Sequence, residues 1–305
     1  MNIYCVVVTY NRLSLLKECL HAVSSQTRRP DRIIVVDNCS TDGTAEFLKG
    51  SAAELGLQVV SMPKNVGGSG GFSRGLKESV LAGADYTWMM DDDTIPASDQ
   101  LERFEEVVKT RENVGYVYGL VNWTDGQPHQ MNRPNLDKKK AAEKDGCVPC
   151  VSASFVSILI STQAVLKVGL PIKEFFIWCD DVEYTCRISH AGFPCYYVPQ
   201  AVAHHKSVSN YFPSVDKAPA SMAGRFYYQM RNTTYMKRTR VKFFPLLWIA
   251  TFNKLRVMKH RIKRRSDGNE AAFIDAVKRG CRDGLHFKPK IEFINPKHIK
   301  RQVKK

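Results

Sequence analysis

The run from Ile3 to Val8 is apolar at nearly every position, the pattern of a strand covered on both faces. Leu13, Leu16, Leu20 and Val23 then recur at helical spacing, and Asn11 is placed to cap the helix they predict. The alternation repeats: Arg32 to Asp37 (RIIVVD) reads as a strand, Ser40-Thr41-Asp42-Gly43-Thr44 opens a helix, and residues 57–62 and 86–91 read as further strands. Such spacing predicts βαβ units, a mostly parallel sheet and a doubly wound first 95 residues. Beyond them the pattern predicts a helix near 100–110, strands near 115–121 and 155–160, a helix over 180–191 and a short strand at 194–198. Residues 122–150 are polar and irregular and read as a loop over a cleft. Helices are expected at 222–237, 243–258 and 271–280, followed by a basic tail expected to fray.

In a sheet of this kind ligands bind beyond the carboxyl ends of the strands. Three predicted strand ends are polar: Thr9-Tyr10-Asn11-Arg12, Asp37-Asn38, and Asp91-Asp92-Asp93. Extended residues alternate faces, so Asp91 and Asp93 share one side and Asp92 takes the other. Two carboxylates at that spacing can hold a hard divalent cation, Mn2+ or Mg2+, the natural partner of a diphosphate; an acidic turn capping the next helix is the plainer alternative. The stretch Asn65 to Gly75 (NVGGSGGFSRG) has five glycines in eleven positions at a strand-to-helix junction. Backbone N–H groups around Asn65, Gly67 and Gly68 can approach an anion there, and Arg74 can add charge, although neither a P-loop nor a dinucleotide motif is present. In Trp178-Cys179-Asp180-Asp181-Val182-Glu183 a second carboxylate group stands at a predicted helix N-terminus, where the dipole favours the ionised form. A carboxylate so placed can take the proton of an attacking hydroxyl, with helix capping as the alternative. His205, after a short strand, is a candidate third metal ligand, and His204 beside it leaves the choice between them open.

Charge sharpens the picture. The 305 residues carry a net +15, yet residues 236–305 hold 21 Lys and Arg against 5 Asp and Glu, while the first 235 hold 24 against 25. Within the tail, Phe244, Leu247, Trp248, Thr251, Leu255 and Met258 form one helical stripe beside a dense cationic run, which suits an anionic membrane interface; a helix docked on the protein is the alternative. A nucleic-acid-binding role for the tail is disfavoured by its few interleaved aromatics. Nine scattered cysteines, with a lone Cys147-Cys150 CxxC pair, fit reduced thiols in a cytosolic protein better than a disulfide framework or a zinc site. The N-terminal residues read as a first strand, not a signal peptide, and no segment reaches the roughly 20 apolar residues of a membrane span.

Taken together, TYNR, VVDNCSTDGT, the triple aspartate after WMM, WCDDVEY and HHKS resemble an inverting, metal-dependent GT-A glycosyltransferase of family 2 over residues 3–238, and NVGGSGGFSRG with the aspartates is similar to its bacterial galactofuranosyltransferase branch. The resemblance implies a GT-A α/β fold, Rossmann-like with flanking helices, over residues 1–238, with a nucleotide-binding half (1–95) and an acceptor half (96–238), and a basic helical extension over 239–305. It implies that Thr9, Asn11, Arg12 and Asp37 bind the nucleotide together with the glycine-rich stretch, and that Asp37 accepts from uracil. By the same likeness Asp91 and Asp93 ligate metal and diphosphate with His205, Asp92 faces the donor sugar, and Asp181 is the base. Asp180, Trp178 and Glu183 would then meet the acceptor. The implied donor is UDP-galactofuranose, with dTDP-rhamnose, UDP-galactose and UDP-glucose as alternatives. A glycan or glycolipid acceptor at the cytoplasmic face of a bacterial plasma membrane and Mn2+ or Mg2+ complete the expectation. A homo-oligomer is compatible with it, and no nucleic acid is expected.

Overall fold

The computed structural model describes residues 1–240 and 243–300, which form two compact units. The first comprises Met1–Lys173, Asp181–Tyr211 and the segment from Ile291 onward, and the second Glu174–Asp180 and Phe212–Lys290.

The first unit is built on one mixed, largely parallel sheet. In chain order its strands are β1 (Ile3–Thr9), β2 (Arg32–Asp37), β3 (Leu57–Ser61), β4 (Tyr86–Asp91), β5 (Thr94–Pro96), β6 (Tyr116–Asn122), β7 (Asn135–Leu136), β8 (Val148–Ser152), β9 (Ile158–Ser161) and β10 (Cys195–His205). Across the sheet the order is β3-β2-β1-β4-β9-β6-β10-β8-β7, with β5 paired to β10. The four N-terminal strands β3, β2, β1 and β4 run parallel, while β9 lies antiparallel between β4 and β6. Helices α1 (Leu13–Ser24), α2 (Thr44–Ser51), α3 (Gly67–Leu81), α4 (Gln100–Lys109), α5 (Thr162–Val168) and α6 (Asp180–His190) complete the sequence up to β10.

The unbroken apolar run of β1 is explained by two cores, one on each face of the sheet. Tyr4, Val6 and Val8 pack with Phe72, Leu76 and Val80 of α3, and Ile3, Cys5 and Val7 pack with Leu16, Leu20 and Val23 of α1. The glycines of the NVGGSGGFSRG stretch serve this contact. A Cβ at Gly71 would stand 2.6 Å from Val8 Cγ1, and one at Gly75 would stand 2.3 Å from Val6 Cγ1. Most of the stretch is therefore the first half of a helix pressed on β1, not an open loop.

Several boundaries differ from the pattern-based expectation. The strand expected at 155–160 begins only at Ile158, because Ser157 adopts φ +62° and its hydroxyl is spent in a buried bond to Gln100, 2.6 Å, and in one from Trp88 Nε1, 3.1 Å. Residues 122–150 contain β7 and the start of β8 instead of one irregular loop. β10 continues through Pro199 to His205 by means of a bulge between Val198 and Val202. The tail does not simply fray: Leu170 N–H donates to Glu292 O (2.8 Å), Lys300 N–H donates to Leu81 O (2.9 Å), and Ile294 is buried in the core around α3.

The second unit is helical, with α7 (Ala223–Arg240), α8 (Phe244–Ile262) and α9 (Glu270–His286) around a small core of Phe226, Met230, Ile262, Phe273 and Val277. The stripe assigned to a membrane surface is only in part a free face. Leu247 is 1 % exposed, Thr251 is buried, and Leu255 and Met258 pack on that core. Nothing is described for the Phe244 side chain. Of the stripe Trp248 is exposed, and α8 also leaves Leu246, Ile249, Phe252 and Val257 exposed. Among the described residues no helix is long and apolar enough to cross a membrane.

Candidate active site

The polar strand ends converge as the alternating pattern requires. β1 pairs with β2 on one side and β4 on the other, with Thr9 opposite Asp37 and Val8 opposite Asp91. Asp92 turns back to the end of β1. It accepts from Thr9 Oγ1 at 2.8 Å, from Tyr10 N–H at 3.3 Å and from Arg12 at 3.4 Å. Its carboxylate is thus engaged in joining two strand ends and is not left open toward a donor sugar. Asp93 meets Arg12 through Oδ2, while its Oδ1 faces His205 Nε2 at 3.1 Å.

This crowding moves the acids apart. Burial, then the charge of Asp93, pushes Asp91 up to about 7. Burial raises Asp92 to about 6 against the opposing pull of Arg12. For Asp93 burial acts in the same direction but is outweighed by His205 and Arg12, so its carboxyl lies below the usual range. Burial would lower His205, yet the neighbouring Asp93 carboxylate carries it above its ordinary value. His204 is exposed and His205 buried, so of the adjacent pair His205 is the one facing the carboxylates.

The ligand set expected for a divalent cation is present in kind but not closed: among the described residues no three His, Cys, Asp or Glu side chains stand grouped as a metal cage. The Arg12 guanidinium pairs with one oxygen of Asp93 and lends the cluster positive charge. Even so, the donors fit Mn2+ or Mg2+. Asp93 Oδ1 is buried without a hydrogen-bond partner, and Asp91 and His205 add a hard oxygen and an imidazole.

Around this cluster the other expected residues divide. Asp37 is buried and accepts from Ser40 N–H at 3.0 Å. Asn11, at φ +54°, does not cap α1; Asp42 does so through Leu13 N–H at 3.0 Å, and Asn11 Oδ1 accepts from Thr41 N–H at 2.7 Å. Asn65 accepts from Gly67 N–H and from Asn38 Nδ2, tying the start of α3 to the end of β2. Arg74 is occupied with Glu78 one turn along α3, 2.8 Å away, because the helix carries it past the junction. Gly68 has open space where a Cβ would be.

At the other carboxylate group Asp181 is partly exposed, accepts from Val182 N–H at 2.7 Å, and lies near enough to Tyr118 for its charge to add to the rise that burial imposes on that phenol. Thr185, in the second turn of α6, accepts from Ala153 N–H at 3.1 Å and offers its hydroxyl proton to Asp181 O, 2.6 Å away, and to Ala153 O, 3.1 Å away. Glu183 is held by Arg187 through two contacts of 3.0 Å, and Arg187 also reaches Val168 O and Leu170 O; its carboxylate is structural as placed. Asp180 and Trp178 belong to the second unit. There Phe176, Trp178 and Cys179 all have φ between +65° and +68°, and the fully buried Asn232 Nδ2 donates to the carbonyls of Phe175, Ile177 and Trp178 at 2.9–3.2 Å. Left-handed backbone at three non-glycine residues is costly and persists where the surroundings over-determine it.

A family model described as Glycosyl transferase family 2 matches residues 4–160. The chain belongs to that family. Among curated relatives it is similar to galactofuranosyltransferase GlfT1 of Mycolicibacterium smegmatis, 28% identical over 206 residues covering 62% of this chain and 66% of that protein. It is also similar to GlfT1 of Mycobacterium tuberculosis, 26% identical over 203 residues covering 63% of this chain and 66% of that protein. The match thus spans just under two thirds of each relative. Solved structures share the GT-A fold: a mannosyltransferase PcManGT from Pyrobaculum calidifontis in complex with GDP-Man and Mn2+ (TM-score 0.57, 18% identity, 91% of this chain and 73% of that chain) and S. aureus TarS 1-349 in complex with UDP (0.55, 15%, 94% and 92%).

In this family 2 chain the residues that pattern reading missed lie behind His205. The ring of His129 is 4.6 Å from that of His205, and burial, then His205, lowers its pKa to about 4. Asn132, Ser154 and Tyr118 form a buried polar row beyond it. Asn132 and His129 come from the irregular 122–150 segment, where no periodicity marks which side chains turn inward.

Proposed function

We propose that the chain transfers a sugar, galactofuranose from UDP-galactofuranose, to a hydroxyl of a lipid-linked or growing bacterial cell-surface polysaccharide, with Mn2+ or Mg2+ and with inversion. The observation that carries this reading is the cluster at the end of β4 in a family 2 chain: Asp91, Asp92 and Asp93 with Arg12 and His205, beside the nucleotide-side residues Thr9 and Asp37. The likeness to two proteins named galactofuranosyltransferase supports the choice of donor.

In this reading Asp37 accepts from the uracil ring, and Asn11 and the junction around Asn65, Gly67 and Gly68 border the nucleotide. Asp181 takes the proton of the acceptor hydroxyl as its oxygen attacks the anomeric carbon. The bond from that carbon to the diphosphate oxygen breaks, UDP leaves, and configuration inverts. Asp91, Asp93 and His205 would hold a divalent cation, which when bound would supply positive charge toward the departing diphosphate, where stabilisation counts most toward rate. Arg12 adds charge on the same side.

The exposed apolar residues of α8, followed by the exposed Arg256, Lys263 and Arg264, support attachment to an anionic lipid surface on the cytoplasmic side, where lipid-linked acceptors grow. A donor panel of UDP-galactofuranose, UDP-galactose, UDP-glucose and dTDP-rhamnose with Mn2+, read as nucleotide release, tests the donor. Release with UDP-galactofuranose is expected, and release with another donor alone would overturn the assignment.

A further inference from the structure

A hydrogen-bonded row leads away from His205, and its direction can be read from one end. Tyr118 Oη lies 2.7 Å from the backbone carbonyl of Asn132, an oxygen that can only accept, so the phenol proton points there. Tyr118 has no second proton. Its contact with Ser154 Oγ at 2.8 Å must therefore use the serine proton. Ser154 Oγ in turn accepts from Asn132 Nδ2 at 2.9 Å, which fixes the amide with Oδ1 toward His205. His205 Nδ1, 2.9 Å from that Oδ1, must carry hydrogen and donate. With every donor reversed, the phenol and the carbonyl would be two oxygens 2.7 Å apart with no proton between them.

The consequence falls on the other side of the ring. A neutral His205 protonated at Nδ1 presents the Nε2 lone pair, and Nε2 is the atom 3.1 Å from Asp93 Oδ1. That oxygen is buried and has no hydrogen-bond donor. Two electron-rich atoms facing each other at the bottom of a carboxylate cluster are a site for a shared positive species. The nitrogen that ligates metal is set by the hydrogen bond the other nitrogen makes.

We propose that Tyr118, Ser154 and Asn132 are positioning residues that fix His205 in its Nδ1–H tautomer and so aim Nε2 as a divalent-cation ligand toward Asp93. The inference rests on the metal-dependent reading above and extends it to side chains that touch neither cation nor substrate. Asn132 is the joint of the row: its backbone carbonyl sets the direction and its side chain delivers it to the histidine, so one residue of a short 3-10 turn (Gln130–Asn132) contributes both ends. His129 lies against the ring at a tilt of 37°, with its own Nε2 engaged by Ser207.

The full-length protein, labelled with 15N at histidine, is used for the test. Long-range 15N–1H correlation spectra of the metal-free protein, at a pH high enough to neutralise the ring, are expected to show His205 protonated at Nδ1, with the signal assigned by its loss in His205→Gln. An Nε2–H tautomer there overturns the proposal whatever the metal does. Mn2+ affinity, followed by electron paramagnetic resonance without donor, is expected to fall about 10–100-fold in Asn132→Leu and to fall in Tyr118→Phe, a range typical of groups that orient metal ligands. Tyr118→Phe keeps the ring in its pocket. A variant that loses melting temperature but retains wild-type Mn2+ affinity and an unchanged tautomer marks the row as structural and overturns the proposal. Wild-type protein that shows the Nδ1–H tautomer yet binds no Mn2+ would instead refute the metal-dependent reading.

Discussion

The roles proposed for Asp181 and Asp93 differ because their surroundings differ. Asp181 is partly exposed at the first turn of α6, where it accepts from Val182 N–H. Asp93 is buried between Arg12 and His205, with no room to act on an acceptor. Asp181→Asn is therefore expected to lower turnover at least about a hundredfold, the usual value of a positioned acid–base group, while leaving UDP affinity near wild type. Steady-state kinetics beside calorimetric UDP titration checks it, and near-normal turnover would remove Asp181 from its role. At this scale the sequence was informative wherever chemistry followed from the two-residue alternation of a strand, as at Asp91, Asp92 and Asp93. It was silent where a side chain's partner came from a distant loop. Glu183 looked as available as Asp181 in the string WCDDVEY, and only the arrival of Arg187 one turn later on α6 shows it to be engaged.

Among the elements, α3 shows that part of a glycine-rich motif serves packing. Its glycines crowd a strand-to-helix junction next to the nucleotide side, yet Gly71 and Gly75 are there because β1 leaves no space for a methyl group. Gly75→Ala is expected to cost about 1–3 kcal/mol by overpacking against Val6, seen as a lower denaturant midpoint. By contrast Gly68→Ala, with open space around it, should leave the midpoint within about 0.5 kcal/mol or raise it, as ordinary exposed helix positions do. Equal effects at the two sites would contradict the packing account. The parallel strands were legible because both faces are covered and the apolar run is unbroken. β10 reads as short because of its Pro199, which is accommodated at a bulge, and the stripe on α8 divides, with Leu247, Leu255 and Met258 packed inward and Trp248 exposed. Periodicity identifies an apolar face without saying what covers it.

For the molecule as a whole, charge and exposed apolar surface coincide in the second unit. Leu246, Ile249 and Phe252 recur every three residues along α8, and cationic residues follow within two turns. Phe252, 65 % exposed, contributes nothing to the core of its unit, so Phe252→Asp should leave folding intact while reducing recovery on anionic liposomes in flotation; unchanged recovery would exclude this face as the contact. The segment from Ile291 onward has a different consequence, for the order of events in synthesis. Its hydrogen bonds to Leu170 and Leu81 and its buried Ile294 complete the first unit, although they are translated after the entire helical unit. The first unit can gain this segment only once about residue 300 has left the ribosome, and a chain ending at residue 290 would lack Ile294 in the core around α3.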